Sequence, residues 1–266
     1  MSNFITSLRD DEVTVLSPIE LPLPSSAERR SVLKVLSPIK ARFANGKLTW
    51  DWLPNPGQAH LLPFLHFGWV RMPAKAGGTG LHPHSGLETV TLLTLGGYRH
   101  ESRGAKDSEL GPGSVEYQMT GSGIWHQEHT LGDIGFEAYQ LTLALPKTSL
   151  KEAPIYRVYE PELIEHEKKA DYDMLVMVGG LSPLKPRNHF TFVMVRLEPE
   201  QRAHLPAALS RQAFVCVVSG EGRFGEGQQA LKAEDLAVLG PGEGLTVQAD
   251  SMPLSFFLAA GNPFAE

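Results

Sequence analysis

One cysteine in 266 residues, Cys216, leaves no partner for an internal disulfide and fits a reducing compartment. It stands in the apolar run Phe214-Val215-Cys216-Val217-Val218, which suits a packed, inert thiol better than a reactive one. Lys and Arg form no run or stripe, and the net charge is −6, so a nucleic-acid partner is not expected. No apolar stretch reaches the length of a membrane span. The opening Met1-Ser2-Asn3-Phe4-Ile5-Thr6 has no positive region ahead of an apolar core, so no signal peptide is read there. These absences together predict a cytoplasmic protein with no membrane partner. A long amphipathic helix is missing as well, and with it the helical fold classes.

What is present is turn chemistry and short β runs. Twenty-six Gly and twenty Pro punctuate segments rich in Val, Thr, Leu and Phe, the signature of an all-β sandwich or barrel with few short helices. Strands are predicted over 64–72, 87–95, 115–119 and 136–145, the second ended by a turn at Gly96-Gly97. A charged, proline-marked connector follows from Pro146 to Tyr172, with one short helix from about Pro161. Strands resume over 174–178, 190–197, 213–219, 236–239 and 254–259. Early turns fall at Pro22-Leu23-Pro24 and Asn55-Pro56-Gly57, and Trp50, Trp52 and Leu53 are placed at a core edge.

Leu110-Gly111-Pro112-Gly113 recurs as Leu239-Gly240-Pro241-Gly242, which suggests two related β-barrel halves. The division is drawn as 1–150 and 151–266. Matching Gly97 to Gly220 sets Leu205 and Ala207 opposite His82 and His84, and Arg211 opposite Glu88. Matching the Gly-Pro-Gly turns sets Ser255 and Phe257 opposite His126 and Glu128. The second half therefore lacks every candidate ligand of the first.

Those candidates are the chemical centre of the sequence. In His82-Pro83-His84-Ser85-Gly86-Leu87-Glu88 the two histidines and the glutamate share strand parity, and so do His126 and Glu128 in His126-Gln127-Glu128. Side by side, the segments bring up to five ligands to one space. Imidazoles with a carboxylate suit Fe(II), Ni(II), Mn(II), Cu(II) or Zn(II) and leave coordination positions open for a substrate. His100, after the Gly96-Gly97 turn, reads as solvated or as a neighbour of the ligands, and His129 breaks the pattern. His60, His66, His166, His189 and His204 receive no role. Gly77-Gly78-Thr79-Gly80 and Gly121-Ser122-Gly123 lack phosphate-loop spacing and read as tight turns beside the cluster.

His82-Pro83-His84-Ser85-Gly86-Leu87-Glu88-Thr89-Val90, the turn at 111–113, and Met119-Thr120-Gly121-Ser122-Gly123-Ile124-Trp125-His126-Gln127-Glu128 resemble the signature of the pirins, two-domain members of the cupin superfamily. The resemblance implies a bicupin: two cupin-type β-barrels face to face, with the metal, usually iron as Fe(II), in the N-terminal one. It implies His82, His84, His126 and Glu128 as ligands, with Glu88 beside the metal or on the substrate side. It also implies a metal-dependent dioxygenase of the quercetin 2,3-dioxygenase type acting on a flavonol-like substrate. In that reaction Glu128 or Glu88 accepts a proton, and Trp125 and Leu87 are candidate pocket or core residues. The alternative it carries is a metal- or redox-dependent regulatory protein acting through protein partners. Two positions depart from the family, where arginine is often found at Ser85 and around Ser122.

Overall fold

The computed structural model describes residues 29–55, 61–103, 107–210 and 212–262, the side chains of 206–210 excepted. The turns at 22–24 and 56–57, the start at 1–6, His60, the side chain of Ala207, and Arg211 lie outside the described residues.

Among the described residues the chain is built from strands. In order they are β1 (Val32–Leu36), β2 (Ile39–Arg42), β3 (Leu48–Leu53), β4 (Phe64–Met72), β5 (His82–His84), β6 (Leu87–Ser102) and β7 (Ser108–Leu110). Next come β8 (Val115–Met119), β9 (Ile124–Ala144), β10 (Ile155–Tyr159), β11 (Glu165–Lys168), β12 (Asp173–Val178), β13 (Phe190–Leu197) and β14 (Arg202–Ser210). The series ends with β15 (Gln212–Ser219), β16 (Glu221–Phe224), β17 (Gln229–Lys232), β18 (Leu236–Leu239), β19 (Gly242–Ala249) and β20 (Leu254–Gly261). The helix expected from Pro161 is a single 3₁₀ turn, Pro161–Leu163. No helix among the described residues is long and apolar enough to cross a membrane.

One sheet runs β10-β8-β6-β9-β4-β3-β2, with β5 added on β9 and β7 on β6. The second unit has a sheet β1-β18-β15-β20-β13-β12-β11 and a smaller one, β14-β19-β16-β17. The sheets do not divide at residue 150: β1 pairs with β18 of the second unit, and β10 pairs with β8 of the first.

Gly96-Gly97 does not end a strand as expected. β6 passes through it with register shifts and pairs with β9 along its whole length, Leu87 facing Ala144 and Ser102 facing His126. Gly96 has φ 67, and a Cβ there would overlap the Gly135 carbonyl, so the bend needs glycine.

Strand alternation sorts the side chains. Val90, Leu92, Tyr117, Leu141 and Leu143 face a large core that also takes Phe192, Phe214 and Phe257 from the second unit. Phe67, fully buried at its centre, lies 5.2–6.3 Å by ring centroids from Trp52, Tyr139, Phe192, Phe214 and Phe257. Trp52 and Leu53 are thus interior, beyond the core edge expected of them. Cys216 is buried in the same core, where burial pushes its thiol pKa well up, in keeping with an inert thiol.

The two units share one pairing scheme, but the Gly-Pro-Gly turns are not its marker. The first turn precedes β8, whereas the second follows β18. The true counterpart of Gly113 (φ 86) is Glu234 (φ 77). The Gly113 N–H donates to Leu93 O, and the Glu234 N–H donates in the same way to Val217 O. Gly220 (φ 79) likewise corresponds to Gly96, because a Cβ on it would overlap the facing Pro253 carbonyl.

Candidate metal centre

β5 lies antiparallel against the start of β9, with His82 opposite His126 and His84 opposite Ile124. Alternation turns His82, His84 and His126 to one side, while Pro83 and Trp125 point out. Ring centroids are 4.9 Å apart for His82–His84, 4.4 Å for His82–His126 and 5.1 Å for His84–His126. One nitrogen from each lies within 4.8 Å of the other two. The carbonyl of Gly80 accepts from His82 Nδ1 at 2.7 Å, which leaves the Nε2 lone pair free for a cation.

Glu128 follows two residues after His126 on the same face. Its Oε2 accepts from the Thr79 hydroxyl, and its Oε1 lies 3.0 Å from His126 Nδ1. That approach is out of hydrogen-bond alignment, so both His126 ring nitrogens are buried without a partner. The loop at 77–80 serves this arrangement as a tight turn. Gly78, at φ 147, packs so closely that a Cβ would overlap the Glu128 carbonyl, and the Thr79 N–H donates to that carbonyl at 3.0 Å.

Burial and the imidazoles of His126 and His82 push the His84 pKa down to about 4. Burial works against ionised Glu128, yet His126, Thr79 and His82 hold its pKa down to about 2. Burial likewise opposes a charge on His126, but the carboxylates of Glu128 and Glu116 raise its pKa. Three imidazoles and an ionised carboxylate, with two buried nitrogens lacking a partner, form a donor set that fits a borderline divalent cation.

Glu88 is not brought into this group. The chain turns at Ser85 and Gly86 (φ 69), so parity does not carry from β5 into β6. Glu88 is fully buried on the opposite face, toward the second unit. Its Oε1 accepts from Tyr117 OH at 2.7 Å and Arg187 N at 2.6 Å, and its Oε2 from Asn188 N at 3.1 Å and Asn188 Nδ2 at 2.7 Å. Trp125 is 46% exposed and lies under the Arg103 guanidinium, on the outer face.

Of the two readings of His100, solvated or a neighbour of the ligands, the structure supports the second. Far from being solvated, it is fully buried, directly opposite Glu128 across the β6–β9 ladder. One nitrogen of His100, one of His126 and a Glu128 oxygen form a second group within 4.8 Å. Tyr98, His100 and Ser102 alternate toward His126 and Glu128, a pattern visible in the sequence once the strand is allowed through Gly96-Gly97.

The pairing scheme gives each ligand its counterpart. His82 opposite His126 corresponds to Leu205 opposite Leu245, and His100 opposite Glu128 to Phe224 opposite Val247. These four are apolar and buried. The counterparts of His126 and Glu128 are therefore on β19, and not Ser255 and Phe257 on β20. The second unit fills with hydrocarbon the space the first gives to its histidines.

The family description Pirin matches residues 56–143, and Pirin C-terminal cupin domain matches residues 192–266. A pirin-like protein of Solanum lycopersicum is 31% identical over 244 residues, covering 87% of this chain and 82% of that one. Among solved structures, a quercetin 2,3-dioxygenase from Acinetobacter baumannii matches with TM-score 0.79 at 20% identity, over 89% of this chain and 88% of that one. The bacterial pirin YhhW from Escherichia coli, in complex with nickel(II), matches with TM-score 0.72 at 16% identity, over 87% and 99%.

Proposed function

Because the chain belongs to the pirin family, and its fold is that of a bicupin, we propose that it is a metal-dependent dioxygenase of the quercetin 2,3-dioxygenase type. The observation that carries the reading is the convergence of His82, His84 and His126 on one space, with Glu128 3.0 Å from His126 and electrostatically coupled to His82 and His84. These four would hold the cation. We assign Fe(II) first; Ni, Mn, Cu or Zn suit the same donors, and the family fold is found with nickel(II) in YhhW.

A bound divalent ion supplies Lewis acidity and open positions for a chelating substrate and dioxygen. The substrate class is a flavonol-like compound, whose 3-hydroxyl and 4-carbonyl oxygens form a chelating pair. Glu128, as the carboxylate beside the histidines, is the candidate acceptor of the hydroxyl proton. Glu88, with both oxygens taken by four donors, is left to hold the two units together. His82 keeps its orientation through Gly80 O, and Thr79 fixes one oxygen of Glu128.

The test is anaerobic loading with Fe(II), then quercetin and oxygen. Metal-dependent oxygen uptake that disappears in His82→Ala and Glu128→Ala is expected. Stoichiometric metal with no quercetin-dependent uptake would refute the dioxygenase assignment.

A further inference from the structure

We propose that His100 is a positioning residue of the metal centre, backing the Glu128 carboxylate with the polar edge of its imidazole. The proposal rests on the metal-binding reading above. It begins from a fully buried imidazole whose two nitrogens have no hydrogen-bond partner, a costly arrangement that asks for a purpose. The ring is stacked on Tyr156, with centroids 3.8 Å apart and planes 21° from parallel, so its orientation is set. From there Nδ1 looks at two carboxylates, Glu116 Oε2 at 3.6 Å and Glu128 Oε1 at 3.8 Å.

Glu116 is itself anchored. Its Oε2 accepts from Tyr98 OH at 2.7 Å and Tyr156 OH at 3.2 Å. The result is a buried polar file, Tyr98 and Tyr156 to Glu116, then His100, then Glu128. His100 shares a group with His126 and Glu128, which joins it to the trio of histidines through His126. Glu128 already gives Oε2 to the Thr79 hydroxyl. The His100 ring, 3.8 Å away on the Oε1 side, confines the carboxylate there, and such supporting neighbours are what orient metal ligands.

The second unit shows that the fold does not require the file. In the shared pairing scheme Thr91–Glu116 corresponds to Val215–Ala237, and Tyr98–Thr130 to Gly222–Ala249. Tyr98, Glu116, His100 and Glu128 thus have Gly222, Ala237, Phe224 and Val247 as counterparts. Where the ligands are absent, the whole supporting file is absent with them.

The experiment uses the full chain loaded with Co(II), comparing the wild type with His100→Phe, the second unit's residue, and His100→Gln, which keeps a side-chain N–H. His82→Ala serves as the ligand control. Release of Co(II) to a chelator, the ligand-field absorption spectrum, and the melting temperature of the metal-free protein are read for each. Expected for H100F are release faster by about 10–100-fold, a shifted spectrum, and a metal-free melting temperature at or above wild type. H100Q restores part of the retention. Wild-type release and spectrum in H100F overturn the inference alone. So does faster release with an unshifted spectrum and a lowered metal-free melting temperature, or failure of H100F to fold, since each reveals a structural need. Failure of the wild type to take up Co(II) overturns the metal reading, and this inference with it.

Discussion

Replacing Glu88 with alanine separates two jobs that a glutamate beside a histidine motif can be given. The carboxylate is fully buried and takes hydrogen bonds from Tyr117 OH, Arg187 N, Asn188 N and Asn188 Nδ2. Removal strands these donors around a small hole. Four bonds to a charge, taken singly, would sum to more than the protein can lose. Relief is available, however: Asn188 Nδ2 keeps Ala144 O at 2.9 Å, and the Arg187 N–H bond is only partly buried. At about 1–3 kcal/mol for each stranded buried donor, such partial relief leaves a loss of about 3–5 kcal/mol. In a chain of this size each kcal/mol lowers Tm by roughly 2–4 °C, so a drop of about 6–20 °C is expected. Denaturant unfolding of the metal-free protein measures the first quantity, and a thermal scan the second. Metal stoichiometry should be unchanged, since Glu88 stands outside the histidine group. A loss below about 1 kcal/mol, or a loss of bound metal with stability intact, would refute the assignment of Glu88 to the joint between the units.

Two further outcomes follow from the site. Gly78→Ala should lower metal retention, because its Cβ would overlap the Glu128 carbonyl and push the ligand strand away; inductively coupled plasma analysis of the purified variant checks this. Metal affinity should fall with pH from above the usual imidazole value of about 6.5. His126, whose pKa is raised in the metal-free protein, is protonated below that point and must lose its proton to bind. His84, already neutral down to about 4, adds no competing proton in this range. Competition titrations between pH 6 and 8 should therefore show affinity rising with pH as His126 gives up its proton, and a flat profile would count against His126 as a ligand.

Parity reasoning succeeded where a strand is unbroken and failed where it is not. His82 with His84, and His126 with Glu128, each share one strand, so period two carried their side chains together. Glu88 shared the parity only on paper, because Gly86 turns the chain between β5 and β6. His100 was left open between solvent and the ligands for the converse reason: a glycine pair read as a turn is a bend that a sixteen-residue strand passes through. The repeat was real, yet its chosen emblem was not, since Gly-Pro-Gly is common turn chemistry and sits at unrelated places in the two units. Glu234 carries the conformation of Gly113 with no glycine to announce it. The dense strands 64–72, 115–119, 190–197 and 236–239 were legible to the residue, since apolar-rich or alternating runs bounded by turns leave little choice.

Phe67 gives the molecule's ancestry a constraint. Its ring belongs to one half and most of its aromatic neighbours belong to the other, while β1 and β10 each cross to the opposite sheet. Neither half can be traded away, swapped into another protein or lost by truncation without laying bare a face of phenylalanines. The unit without histidines is thereby retained by the unit that has them, as a permanent lid on a shared seam.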